Sequence, residues 1–250
     1  MKFLIIQTAF IGDVVLATPL IEKIKLQYPN AVIDFLVRKG NESLLENHPH
    51  LRHVIVFDKK KNKYRNLLTL IREIRKAKYD YVINAQRFFA SGLMTAMSGA
   101  KETIGFDKNP LSRFFTKRVP HQISAQSTGE HEVHRNLSLI EHLAGNFLVK
   151  PKLYPSQADF DKVVAVQPYI TIAPASVWYT KQFPKERWIE FINSVPEHYT
   201  IYLMGAKSDF PLCEEIRDQS NTSTPLSTRI QNPKLRISPA NFLSWPLLLS

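Results

Sequence analysis

Short apolar runs alternate with helix-like segments along most of the 250-residue chain, and this alternation most constrains its fold. The first run has no polar spacing, which is typical of a strand buried on both faces of a parallel sheet. Strands that alternate with helices are joined by right-handed crossovers, so the first half is predicted to form a helix-covered parallel sheet. The predicted strands are KFLIIQ at 2–7, AVIDFLVR at 31–38, HVIVFD at 53–58, YDYVINA at 79–85 and ETIGF at 102–106, and the predicted helices are LIEKIKLQYP at 20–29, NLLTLIREIRKAK at 66–78 and EHEVHRNLSLIEHL at 130–143.

The same pattern restarts after a segment that contains two prolines and little periodicity. This segment, 148–167, is predicted to be a linker between domains. The second half then reads as strand YITIAPA, helix KERWIEFINSV, strand YTIYLMG and helix DFPLCEEIRD. We therefore predict an α/β protein with two Rossmann-like domains and a cleft between them, the first at 1–147 and the second at 168–218.

The last stretch of the chain, 219–250, departs from this pattern. It contains no Asp, Glu or Gly, and neither strand nor helix periodicity persists in it. One interpretation is an irregular tail. The other, which we favour, is an incomplete second domain that results from truncation or a shifted reading frame. The favoured interpretation rests on the apolar faces that a sheet of two strands would leave open.

The charge of the chain points to acidic partners. A formal net charge of +11 and a pI near 9.7 favour phosphates, nucleotides, nucleic acid or an anionic lipid surface. The single cysteine, Cys213, excludes an internal disulfide and fits a reducing compartment. Neither a secretory signal nor a membrane-spanning run is visible, so a cytoplasmic protein is expected.

Two basic segments suggest where anions bind. They are KKKNKYR at 59–65 and KNPLSRFFTKR at 108–118, of which the second also carries Phe114 and Phe115. One interpretation is an ordinary solvated surface, and the other is contact with a phosphorylated glycolipid or the anionic inner membrane. Nucleic acid is not predicted as a partner, because no recognisable nucleic-acid module accompanies these segments.

The first candidate site is the loop after the first strand, where the chain reads FIGDVV. Gly12 would ease a turn, and Asp13 is by local chemistry a preferred helix cap. The following pair, Thr18 and Pro19, is itself a strong helix start, with Thr as the cap. Asp13 would then lie in a loop or short turn at the carboxyl end of the strand, where open α/β sheets place ligands. The glycine fingerprint of dinucleotide-binding proteins is absent, which disfavours an oxidoreductase or epimerase.

The second candidate site follows the first strand of the second half. A loop of small residues there leads to Trp178, Thr180 and Lys181, and Pro184 is predicted in the first turn of the next helix. Such a loop would favour the binding of a phosphate group, because it presents backbone N–H groups, a hydroxyl and an ammonium beside a helix N-terminus. The alternative is a solvated lysine and a packing tryptophan.

Together these stretches resemble the glycosyltransferase family 9 heptosyltransferases. The resemblance runs from Met1 to about Asp218, and it is carried by GDVVLATP at 12–19, HEVHRNLSLIEHL at 131–143, PASVWYTKQFPKERWIEFI at 174–192 and YLMGAKSD at 202–209. It implies a GT-B fold, with a sugar acceptor on the first domain and a nucleotide-sugar donor on the second. It also implies transfer of heptose, or a related sugar, to the inner core of lipopolysaccharide on the cytoplasmic side of the inner membrane. The implied reaction inverts the anomeric configuration and needs neither a metal nor a cofactor.

The resemblance also assigns residues. Asp13 aligns with the general base, and Lys181, with Thr180 beside it, aligns with the lysine that contacts the donor phosphates. Candidate substrate-cleft residues are Gly12, Ser176, Trp178, His131 and Arg135. The family's acidic donor motif that ends in HLA has no counterpart after Gly205. The alternative function is therefore an inactive remnant that binds anionic glycolipid or nucleotide without transfer.

Overall fold

The protein consists of two compact units, Met1–Tyr154 and Pro155–Ser250. A computed structural model describes residues 1–59, 62–121, 131–161, 168–176 and 178–220, and for Tyr179 it describes the backbone alone. The first unit will be called unit 1 and the second unit 2. Each unit contains a parallel sheet with helices, so the predicted α/β, GT-B-like fold class is confirmed.

Unit 1 is built on a six-stranded sheet in which every neighbouring pair is parallel. The order β3-β2-β1-β4-β5-β6 reverses between β1 and β4, and such a reversal opens a crevice at the carboxyl ends of the strands. The strands are β1 Lys2–Ile6, β2 Val32–Arg38, β3 Leu51–Phe57, β4 Tyr81–Asn84, β5 Glu102–Phe106 and β6 Lys117–Val119.

Helices cover both faces of this sheet. Because side chains alternate along a strand, Phe3 and Ile5 enter one apolar core, whereas Leu4 and Ile6 enter the other. The first core is closed by α1, α2, α5 and α6, and the second by α3 and α4. The helices are α1 Ile11–Val15, α2 Pro19–Gln27, α3 Lys63–Ala77, α4 Phe89–Ala96, α5 Glu132–Ser138 and α6 Glu141–Ala144.

Several predicted details of unit 1 were wrong. The single helix expected over 130–143 is two short helices, α5 and α6, and the sequence analysis missed both α4 and β6. Thr18 precedes α2, but its hydroxyl donates to the Val15 carbonyl instead of capping the helix. Phe115 was placed on a basic aromatic surface, yet it is buried against Gly105, where a Cβ would come within 2.6 Å of its ring.

The described part of unit 2 has a two-stranded parallel sheet and a small core formed by Ile172, Ile192 and Ile216. The predicted linker, 148–167, spans the division between the units. Its residue Tyr154 donates a 2.8 Å hydrogen bond to Glu22 of α2. Most of the predicted tail, 221–250, lies outside the described residues. The elements of unit 2 are α7 Gln157–Asp161, β7 Tyr169–Ile172, α8 Lys185–Ser194, β8 Thr200–Leu203 and α9 Phe210–Gln219.

A buried carboxylate ties three strands of unit 1 together. Asp34 on β2 is 1% exposed and accepts hydrogen bonds from Arg52 on β3 and from Tyr79, which precedes β4. Burial alone would raise the pKa of Asp34. The hydrogen bonds from Arg52 and Tyr79 and the charge of Arg52 outweigh burial, so this pKa lies below its ordinary value of 3.8. The carboxylate therefore contributes stability that is present at neutral pH and lost as the pH falls below about 4.

We expect Asp34→Asn to lower the free energy of unfolding of unit 1 by about 2 kcal/mol at pH 7, because it leaves the Arg52 guanidinium without its counter-ion. The difference between variant and wild type should shrink as the pH is lowered below about 4. Urea denaturation at several pH values measures both effects. The control Glu73→Gln, on an exposed part of α3, should change stability by less than about 0.5 kcal/mol. Equal effects of the two substitutions would contradict this role for Asp34.

Candidate active site

Buried hydrogen bonds hold together the loops at the crevice of unit 1. The Thr8 hydroxyl, after β1, donates to Gln86 Oε1, after β4, over 2.7 Å. Asn109, after β5, donates to the carbonyls of Gln86 and Phe88 at 3.1 Å each. The side-chain nitrogens of Asn84 and Gln86 are buried and have no hydrogen-bond partner among the described residues. The loops at the crevice are thus joined by a buried polar network.

Asp13 lies beside this network, in the short helix α1 that precedes α2. Its Oδ2 accepts the Phe10 N–H at 2.9 Å, so it satisfies a backbone donor at the start of α1. Its other oxygen, Oδ1, accepts no hydrogen bond from the residues that the structure describes. The side chain is half-buried. The capping bond thus occupies one oxygen of the carboxylate, and a catalytic role for Asp13 stays a prediction.

Gly12 does not form the glycine turn that was expected. It is the second residue of α1, it has no positive φ, and a Cβ added to it would meet nothing within 4 Å. Another small residue would therefore fit this position. The open space above Gly12 is consistent with a substrate-facing surface, which stays a prediction.

Cations surround the crevice on the β2 and β3 side. The Lys59 ammonium donates to the Thr8 carbonyl at 2.7 Å, and Arg38 stacks on Phe10 with Cζ 4.6 Å from the ring centroid. Burial lowers the pKa of Lys59, and the positive charges of Arg38 and Lys63 lower it further. Positive charges that lower the pKa of a neighbouring ammonium in this way create a local field that attracts an anion.

A second cationic group lies on the β4 and β6 side of the same edge. His121 follows β6, and its backbone N–H donates to Asp107 at 2.9 Å. Burial lowers the pKa of His121, and the positive charges of Arg135 and Arg87 add to this effect. Arg135 also pairs with Glu132 one turn earlier on α5. Arg135 was predicted as a cleft residue. Its neighbour on α5, Asn136, donates a hydrogen bond to the Leu16 carbonyl and so joins α5 to the segment between α1 and α2.

His131 takes a local role in addition to any substrate contact. It is the N-cap of α5, where its Nδ1 accepts the Val133 N–H at 3.2 Å, and the residue is exposed. Its function in a substrate cleft stays a prediction.

The predicted site residues of unit 2 follow β7 and lie close together along the chain. Thr180 and Lys181 end a short 3₁₀ helix, and both are exposed. The Lys181 N–H donates to the Trp178 carbonyl at 2.9 Å, and the Trp178 N–H donates to the Ser176 hydroxyl at 3.3 Å. The ammonium of Lys181 thus projects from a structured turn just before α8, and a phosphate contact there stays a prediction.

An adjacent pocket of about 410 Å³ lies between the start of α8 and α9. Its lining includes Lys185, Trp188 and Leu212. Pro184, which was predicted in the first turn of α8, is its N-cap residue. The indole N–H of Trp188 is buried and has no hydrogen-bond partner among the described residues. The pocket lies beside the turn that carries Lys181, since Gln182 and Phe183 also line it.

Comparison with known proteins identifies the family. The model of "Glycosyltransferase family 9 (heptosyltransferase)" matches residues 67–240. The chain belongs to this family. It is 26% identical over 244 residues to lipopolysaccharide heptosyltransferase 3 of Escherichia coli, a match that covers 90% of this chain and 71% of that protein. The resemblance stated from the sequence motifs is thereby confirmed.

Solved structures of the family share the fold. A family 9 glycosyltransferase from Veillonella parvula superposes with a TM-score of 0.73 at 18% identity, over 88% of this chain and 67% of that one. The E. coli ADP-heptose lipopolysaccharide heptosyltransferase II superposes with a TM-score of 0.69 at 21% identity, over 89% of this chain and 70% of that one. At these identities the likeness establishes the fold of this glycosyltransferase family member.

The described ranges contain no group of three or more His, Cys, Asp or Glu side chains placed to hold a metal ion. Every helix within those ranges is too short or too polar to cross a bilayer.

The sequence analysis missed most of the cations at the crevice. The cations Arg38, Lys59 and Arg87 lie at or just beyond the ends of β2, β3 and β4, and His121, whose lowered pKa disfavours its charged form, follows β6. A signal was available, because the carboxyl ends of parallel strands share one edge of the sheet. Basic residues that recur at strand ends therefore converge in space even when they are far apart in the chain.

We expect Asp13→Ala to lower the stability of unit 1 by about 1 kcal/mol, because the Phe10 N–H loses its acceptor. Asp13→Asn should lower it by less, since the amide oxygen can still accept that hydrogen bond. Chemical denaturation at neutral pH measures both values. Equal destabilisation by the two substitutions would show that the hydrogen bond to Phe10 does not hold α1.

Proposed function

We propose that this family 9 glycosyltransferase transfers heptose, or a related sugar, from an ADP-heptose-type donor to the inner core of lipopolysaccharide. The observation that carries the proposal is the half-buried Asp13 carboxylate beside the cationic crevice of a family 9 chain. The names of its relatives support the substrate classes, since they include lipopolysaccharide heptosyltransferase 3 and an ADP-heptose heptosyltransferase II. In this proposal unit 1 binds the acceptor and unit 2 binds the donor.

Asp13 is the proposed general base. The acceptor hydroxyl oxygen attacks the anomeric carbon, the bond from that carbon to the diphosphate oxygen breaks, and the hydroxyl proton passes to Asp13. Attack opposite the leaving group inverts the anomeric configuration. Because Oδ2 is held by the Phe10 N–H, the carboxylate is oriented before the acceptor arrives, and Oδ1 is the oxygen that receives the proton.

Positive charge is the proposed means of holding both substrates. Lys59, Arg38, Arg87 and Arg135 at the crevice complement the phosphate and carboxylate groups of an acidic acceptor. Lys181 and Thr180 in unit 2 contact the donor diphosphate, whose negative charge grows as the bond to the sugar breaks. A placed ammonium supplies this stabilisation, so the proposed reaction requires no metal.

The proposal is tested by transfer from ADP-heptose to a deacylated, water-soluble lipopolysaccharide core. Asp13→Asn should lower kcat/KM roughly 100- to 10,000-fold, because it removes the base while preserving the hydrogen bond to Phe10. Lys181→Ala should weaken ADP-heptose binding roughly tenfold or more in calorimetry, because a charged contact is lost. The matched control Lys207→Ala, also exposed in unit 2, should leave binding unchanged.

Two outcomes would contradict the proposal in different ways. Full activity in Asp13→Asn would remove Asp13 from the role of base. Binding of ADP-heptose by the 250-residue chain without any transfer would support the alternative function, a protein that binds nucleotide or anionic glycolipid only.

A further inference from the structure

Helix α4 closes the second core of unit 1, yet it also leaves large apolar side chains exposed. The sequence of α4 is FASGLMTA, without a single charged residue. Phe89, Leu93 and Met97 recur every four residues, so they form one stripe along the helix. Phe89 is 58% exposed and Met97 is exposed, whereas Leu93 between them is partly buried against the second core. A helix this apolar is ordinarily buried, so the exposed stripe indicates a surface that meets an apolar phase.

The neighbouring helix supplies positive charge beside the stripe. Helix α3 packs against α4, and its exposed face carries the apolar residues Tyr64 and Leu68. The stem of Arg75 lies against Gly99, just beyond α4, where a Cβ would be 3.4 Å from its Cγ. The cations of α3 are Lys63, Arg65, Arg72, Arg75 and Lys76, and its one acidic residue is Glu73.

We propose that this α3–α4 face docks unit 1 on an anionic lipid bilayer. Phe89 and Met97 would enter the boundary between headgroups and acyl chains, while Arg65 and Arg72 contact lipid phosphates. A second copy of the chain fits this face less well, because a two-fold contact would bring the cations of two α3 helices together. The surface differs from the basic segment 108–118 that the sequence suggested, and it involves neither Asp13 nor Lys181.

The position of α4 gives this surface a consequence for the proposed reaction. The helix begins two residues after Arg87 and three residues after Gln86, which is hydrogen-bonded to Thr8 at the crevice. A bilayer against α4 would therefore border the crevice. Under the proposed function, a lipid-linked acceptor could reach Asp13 while its acyl chains stay in the membrane.

Site-specific labelling tests the surface directly. Cys213 is the only cysteine and is fully buried, so a cysteine introduced at Phe89 can be labelled alone with an environment-sensitive fluorophore. Vesicles of phosphatidylcholine and phosphatidylglycerol in equal parts should shift the Phe89→Cys emission to the blue. Phosphatidylcholine vesicles should not. The same label on Leu26→Cys, an exposed apolar position of α2, should not respond to either vesicle.

Vesicle sedimentation supplies an independent measurement. The double variant Phe89→Ser/Met97→Ser should partition onto anionic vesicles roughly tenfold less than wild type, because less apolar surface leaves water. The matched control Leu26→Ser should partition like wild type. Arg72→Glu should also weaken binding, whereas Arg118→Glu on β6 should have the smaller effect.

Three results would overturn the proposal: no binding of the intact chain to anionic vesicles, an equal emission shift at Leu26→Cys, or self-association in light scattering that the double variant abolishes. Sugar transfer to a deacylated, water-soluble acceptor separates this surface from the proposed function. The double variant should retain that transfer, and a failure of transfer in wild type would leave the vesicle results unaffected.

Discussion

The burial of β1 between β2 and β4 is the constraint on which the rest of unit 1 depends. Its side chains fill both apolar cores, and its backbone pairs with a strand on each side. Because the strand order reverses here, the chain leaves β1 toward one face of the sheet and leaves β4 toward the other. The crevice, the Thr8–Gln86 hydrogen bond and the position of Asp13 all follow from this arrangement.

Repulsion among the like charges at the crevice lowers the stability of unit 1, and the same charges would favour the binding of an anion. Lys59 is half-buried near Arg38 and Lys63, and the repulsion among them is part of what lowers its pKa. Charges of one sign are costly to hold together unless an anion joins them. Asp34 shows the opposite case, since its carboxylate is paired with Arg52 and stabilises the sheet. In the proposed function the positive field at the crevice therefore serves a substrate, whereas the pair of Asp34 and Arg52 serves the structure.

The family match establishes a glycosyltransferase of the heptosyltransferase family, and the superpositions establish its fold. The proposed roles of Asp13, Thr180 and Lys181 rest on the resemblance of their motifs to the family and on the proposed chemistry. The apolar stripe on α4 has no part in that chemistry, and it links the crevice to a surface where a lipid-linked acceptor would lie.

The sequence by itself determined the α/β class, the long elements and the family. Continuous apolar runs such as KFLIIQ have few alternatives to a doubly covered strand, and the spacing of Leu67, Leu70, Ile71 and Ile74 leaves one stripe that α3 must bury. The sequence analysis missed two short elements, because β6 is only three residues long and α4 lacks a polar face. Neither therefore shows the periodic alternation of apolar and polar residues that identifies a strand or a helix. Only the tertiary structure decided which basic residues meet at the crevice. Arg38, Lys59, Arg87 and His121 are brought to one edge by strand order, and strand order depends on pairing between distant segments, which local sequence does not encode.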